Sequence, residues 1–146
     1  GMLRQVKSDD ELAGVIGHEI AHVALRHGAQ QIEVLAAAEA AIDAITRQNP
    51  DFSQIYNDKN AQLSVKLAAQ VSRNQWGQRA ELDADEYGTI YMARGGYNPQ
   101  AVIDLFRRFA TNETGGDPLD RLLATHPPFS ERIGRVEQAI RVHGLR

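Results

Sequence analysis

The sequence predicts a mainly α-helical single domain with little or no β-sheet. Three observations carry that expectation. Ser8-Asp9-Asp10-Glu11 is a capping box placed just before an apolar run. Apolar residues then recur with helical spacing along most of the chain, between Gly and Pro stops. The only strand candidate, Leu3 to Val6, is short and stands alone.

The elements follow in order. The first helix is expected to start at about Asp9, with acidic Asp9 and Asp10 at the positive end of its dipole. Leu12, Val15, Ile16, Ile20 and Val23 give it an apolar period, and a bend or break is expected around His27-Gly28. A second helix is expected from Ala29 to about Arg47, ending before Asn49-Pro50, and Asp51 to Asn60 reads as a connection. Helical pattern returns from about Ala61 to Arg94, with an interruption near Gly77, and stops at Gly95-Gly96. Asn98-Pro99 opens a helix to about Ala110. Thr111 to Pro118 is turn-rich, Leu119 to Ala124 reads as a short helix, and Thr125 to Pro128 as an extended loop. Ser130 is expected to cap a last helix that ends near His143-Gly144.

Composition narrows the function classes. At 146 residues one domain can bury a sizeable core. The balance of 16 Lys+Arg against 19 Asp+Glu leaves no basic surplus to neutralise phosphates, which argues against nucleic acid as a partner. Cysteine is absent, so disulfides, zinc–thiolate sites and a cysteine nucleophile are ruled out. The most apolar stretch, Val34 to Ile45, is interrupted by Glu39 and Asp43 and falls well short of the roughly 20 apolar residues of a membrane span. Residues 1–12 are charged and unlike a signal peptide.

Chemistry concentrates in His18-Glu19-Ile20-Ala21-His22, an HExxH pattern inside the first helix. Residues four apart share one helix face, so both imidazoles can reach a single metal ion. Glu19 projects beside such an ion, where a base acting on an activated water must stand. Zinc suits imidazole nitrogen and carboxylate oxygen with one position left open. Gly14 and Gly17 each cost about 1 kcal/mol against Ala inside a helix, which calls for close approach of another helix or of a substrate.

Two histidines leave zinc one protein ligand short. Glu81 and Asp85, in Glu81-Leu82-Asp83-Ala84-Asp85, lie at i and i+4 on one face. One carboxylate can bind metal while the other holds a ligating imidazole through its second nitrogen. Gly88, a turn on, would let this helix approach the HExxH helix. On the residues alone the alternative stays open that Arg79, Glu81, Asp83, Asp85 and Glu86 form a solvated charged face.

The order HEIAH, ELDADEYG, GGYNP and THPPFSERI resembles the HtpX-like and CAAX-prenyl-protease-type zinc metallopeptidases, peptidase family M48. These are gluzincins, a zincin-like fold with a HExxH helix and a Glu from a later helix. Glu81, Asp85 and Gly88 match the family's second motif position for position. The resemblance implies one zinc ion held by His18, His22 and Glu81, Glu19 as catalytic base, and Asp85 behind a ligating histidine. It runs from about Asp10 to Arg135, with residues 28–75 matching only as helix. Asp83 stands where many members carry Glu. The family has an extended, sheet-forming segment before the HExxH helix. Only about ten residues precede that helix here, so residues 1–146 are expected to be a single metallopeptidase domain truncated on its N-terminal side. The soluble, envelope-associated branch fits best, because the middle region is too charged for membrane spans. That implies protein or peptide substrates and a cell-envelope or periplasmic setting.

The remaining polar residues divide into candidates and bystanders. His126, in Thr125-His126-Pro127, matches a His-Pro of the family; it can donate to the tetrahedral oxyanion or cap the open zinc position. Tyr87, Tyr91 and Arg79 could also donate, although Tyr91 fits the core better. Arg79 and Arg132 are expected in surface ion pairs, His27 as an exposed bystander at a helix end, His143 as a bystander near the terminus, and Trp76 in packing. The function implied is a zinc-dependent endopeptidase in protein quality control. Two alternatives are a zinc-bound protein-binding or chaperone-like module with little proteolysis, and a metal-free helical interaction domain.

Overall fold

A computed structural model of the chain describes residues 5–49, 54, 58–111 and 125–146. Among these residues the regular structure is helical: α1 (Asp9–Ala24), α2 (His27–Gln48), α3 (Lys59–Arg94), α4 (Gln100–Ala110) and α5 (Phe129–His143). Leu3 and Arg4 of the expected strand lie outside the described residues, and Val6 is not in a strand. The expected Leu119–Ala124 helix, most of the turn after Thr111, and most of the connection after Asn49 also lie outside them.

Local chemistry sets the helix ends. The Ser8 hydroxyl accepts from the Glu11 N–H at 3.2 Å, as the capping box requires. The reciprocal half differs from expectation. The Glu11 carboxylate accepts from the Lys7 N–H at 2.8 Å and from Arg108 at 2.7 Å, one residue ahead of the cap and across to α4. The chain breaks after Ala24, earlier than the expected His27-Gly28, through Arg26 in the left-handed region at φ 56°. α2 therefore begins at His27. α3 begins at Lys59, capped by Asp58, whose carboxylate accepts from the Asn60 and Ala61 N–H groups. It runs 36 residues without the break expected near Gly77, because one glycine costs only about 1 kcal/mol in a helix. The Asn98 side chain accepts from the Gln100 N–H at 2.9 Å and opens α4. Ser130 does not cap the last helix: α5 starts at Phe129 after Pro128, with no side-chain cap.

The core gathers where α1, the end of α3, α4 and α5 meet. Met92, Val102, Ile103, Phe106 and Val136 are buried together, with Phe109, Phe129, Ile133 and Ile140 packed against them. The period of α1 is helical as expected, but of its large apolar residues only Val15 turns towards the buried side. Leu12, Ile16, Ile20 and Val23 are exposed, while Gly14, Gly17 and Ala21 are buried. The reason is backbone proximity. A Cβ on Gly17 would stand 2.6 Å from the Gly88 carbonyl oxygen, and one on Gly88 would stand 2.7 Å from the His18 nitrogen. The helices touch main chain to main chain, which is the role expected of Gly17 and Gly88. Gly14 instead admits a side chain: a built Cβ there would stand 2.5 Å from Val102 Cγ2.

Candidate active site

The Gly17–Gly88 contact sets the separation of α1 and α3 one turn from the chemistry. His18 and His22 project from α1, and Glu81 and Asp85 from α3. The Nε2 atoms of His18 and His22 lie 3.0 Å apart. Glu81 closes a triangle of residues, its Oε1 3.3 Å from His22 Nε2 and its Oε2 3.7 Å from His18 Nε2. Four ligands at about 2.0–2.1 Å around tetrahedral zinc lie about 3.3–3.4 Å from one another, and the spacings here, with either carboxylate oxygen of Glu81 facing an imidazole, are close to that. Two ring nitrogens and a carboxylate turned to one point also favour a cation between them. Among the described residues, His18, His22 and Glu81 form the group able to hold a metal ion.

Each imidazole is gripped on its far side. His18 Nδ1 lies 3.0 Å from Asp85 Oδ1, and His22 Nδ1 lies 2.9 Å from His27 Nδ1. Burial first, and the neighbouring His18 ring second, hold the His22 imidazole below its ordinary range. Burial likewise lowers His27. A ring kept neutral near pH 7 presents the lone pair that a metal needs.

Asp85 is 3% exposed and its charge is compensated. Arg132 donates to it as a fork, Nε to Oδ2 and Nη2 to Oδ1, both at 2.7 Å. The third guanidinium nitrogen lies 3.5 Å from Glu81 Oε2, and the guanidinium carbon sits 4.5 Å over the Phe106 ring. Arg132 is thus not the surface residue the sequence suggested: it is 7% exposed and spans both carboxylates. Two carboxylates four residues apart on one helix face call for a nearby cation, and that was the available signal. It could not select Arg132 over Arg79, which is exposed. His27, expected to be exposed, is also buried, at 6%. Asp83, the departure from the family pattern, pairs with Arg135 on the outer side of α3, away from the triangle.

A cleft of about 530 Å³ opens over this cluster. Glu19, exposed, stands at its mouth beside His18 and His22, and Val15, Val102, Leu105, Phe106 and Phe129 form apolar walls. His126 is on the rim, its side chain 66% exposed and its Nδ1 3.5 Å from Glu81 Oε2. Tyr87, Tyr91 and Arg79 are absent from the cleft walls. Tyr91 is half-buried, Tyr87 exposed. Trp76 packs edge-on against His27, with ring centroids 6.0 Å apart.

The chain is 30% identical over 143 residues to the mitochondrial metalloendopeptidase OMA1 of Arabidopsis thaliana, covering 95% of this chain and 26% of that protein. It is 27% identical to metalloprotease YcaL of Escherichia coli (strain K12), over 94% of this chain and 52% of that protein. Metalloprotease LoiP of the same organism is 26% identical, over 99% of this chain and 55% of that protein. The chain therefore spans from about a quarter to just over half the length of these relatives. No solved structure matches it. The model of peptidase family M48 matches residues 1–140. That match covers the HEIAH helix, the ELDAD helix and most of α5 alike: the chain belongs to peptidase family M48.

Proposed function

We propose that this chain is the catalytic domain of a zinc-dependent endopeptidase, with His18, His22 and Glu81 as ligands of one zinc ion. The single observation that carries the reading is the convergence of one ligand atom each from His18, His22 and Glu81 to within 4.8 Å of one another, with the two Nε2 atoms 3.0 Å apart. Family membership supports it, since the family implies a metal ion, typically zinc.

When bound, zinc supplies Lewis-acid activation of water and of the scissile carbonyl. This chain's residues do the rest. Glu19, at the cleft mouth, takes the proton of the attacking water and passes it to the leaving amine. Asp85 holds the His18 ring by its Nδ1 and keeps Nε2 directed at the triangle. Arg132 holds Asp85 and reaches Glu81, which fixes both carboxylates against their mutual repulsion. The apolar cleft walls favour an apolar substrate side chain beside the scissile bond.

Casein hydrolysis with a chelator control tests the reading. Glu19→Gln is expected to keep stoichiometric zinc and to lose about 10²- to 10⁴-fold in rate; retained turnover in that variant removes the mechanism. His126 reads out by sign in the same assay. As a donor to the oxyanion its change to Ala lowers the rate, and as a cap over the fourth zinc position the same change raises it.

Protein quality control in a cell envelope is the setting we propose. A relative in Vibrio cholerae, 28% identical over 91% of this chain, is named a putative beta-barrel assembly-enhancing protease. No helix of the described residues is long and apolar enough to cross a membrane. Fractionation of cells expressing the whole protein checks the compartment.

A further inference from the structure

We propose that His27 is a positioning residue for the metal site: its Nδ1 accepts the proton of His22 Nδ1 and so holds the His22 ring with Nε2 turned to the metal. The proposal rests on the reading of His18, His22 and Glu81 as the zinc site.

The argument begins with helix geometry. Five residues beyond His22 on an unbroken helix lie about 140° around the axis, where His27 could not meet the His22 ring. The chain instead leaves α1 at Leu25, turns through Arg26 at φ 56°, and restarts at His27. Arg26 is the only non-glycine residue with positive φ among the described residues. That conformation costs an L-residue about 1 kcal/mol or more, and such strain persists where the surroundings over-determine it. Its result is specific. His27 becomes the first residue of α2, it is 6% exposed, and no other residue of that helix is buried.

The contact has only one workable proton arrangement. A His22 ring that gives Nε2 to a metal must carry its proton on Nδ1, 2.9 Å from His27 Nδ1. His27 must then be bare at Nδ1 and protonated at Nε2. Trp76 stands at 90° to the His27 ring with centroids 6.0 Å apart, which fixes the plane in which that lone pair lies. The two ligand rings are thereby treated alike, His18 held by Asp85 and His22 by His27.

Zinc affinity measured by competition with a chromophoric chelator tests this, with far-UV circular dichroism as the fold control. If the parent chain fails to bind one zinc, or binds it equally well as His18→Ala, the metal-site reading itself falls, whatever His27 does. With parent binding established, His27→Phe keeps the packing on Trp76 but lacks the acceptor, and is expected to bind zinc about 10- to 100-fold more weakly. His27→Asn, whose Oδ1 can occupy the place of Nδ1, is expected to recover most of that loss. Parent-like affinity in His27→Phe, or an Asn variant as weak as the Phe one, overturns the proposal. A fold-independent arm uses the unaltered chain loaded with zinc and labelled with ¹⁵N-histidine. A His27 proton on Nε2 is the expected result, and a proton on Nδ1 overturns it.

Discussion

The two halves of α3 belong to different kinds of protein. From Lys59 to Arg73 no residue is buried, and the partner region α2 buries only His27. From Asn74 onward the same helix buries Ala80, Ala84, Asp85, Gly88, Thr89, Ile90 and Met92. The first half, with α2 beyond His27, is an arm held by local means: Ala-rich sequence, the Asp58 cap and i, i+4 pairs such as Arg47–Asp43. The second half, with α1, α4 and α5, is a body held by main-chain contact, a buried ion cluster and an apolar core. The difference teaches where precision is needed. Only the body must keep ligand atoms within a few tenths of an ångström.

The sharpest way to break the contrast is Arg132→Met. It leaves Asp85 buried without its fork and Glu81 without its nearest guanidinium, and is expected to cost about 3–5 kcal/mol in thermal or denaturant unfolding. No change in the arm should approach that figure. Next comes Gly17→Ala, which forces a Cβ to within 2.6 Å of the Gly88 carbonyl oxygen. The helices must part, with an expected loss of about 1–3 kcal/mol and weaker zinc binding.

Acid sharpens the comparison differently. The hydrogen bond from Arg108 holds the Glu11 carboxyl below the usual carboxylate range. Its folded value lies below its unfolded one, so it stabilises fully above about pH 5 and less as pH falls through the carboxylate range. The carboxylates of α2 (Glu33, Glu39 and Asp43) are exposed. Glu11→Gln should therefore flatten the acid limb of the unfolding curve, and an unchanged limb would refute the assignment. The smallest effect belongs to Gly28, in the arm, where a Cβ would meet nothing within 4 Å. Gly28→Ala is expected to stabilise by about 0.5–1 kcal/mol, opposite in sign to Gly17→Ala.

Particular residues show how far the sequence could be read. The α1 start, the Gly95-Gly96 stop and the α4 opening were legible because caps and glycines act on neighbours within a turn. The shared faces of His18 with His22 and of Glu81 with Asp85 were legible because i, i+4 spacing puts a pair on one side of a helix before any tertiary contact forms, whereas a joint site of the two faces was implied only by the family resemblance. Burial misled in two directions. The apolar stripe of α1 pointed to a core that the helix meets with glycines, and polar Arg132 and His27 looked like surface groups but are enclosed.

Sequence by itself determined the helices and the two motif faces, since both depend on residues a turn apart. Only the tertiary structure decided which cation neutralises Asp85 and which ring backs His22. Arg132 is 47 residues from Asp85, and His27 reaches His22 only because the chain turns at Arg26. Such partners are chosen by the path of the backbone through space, and no local spacing encodes it.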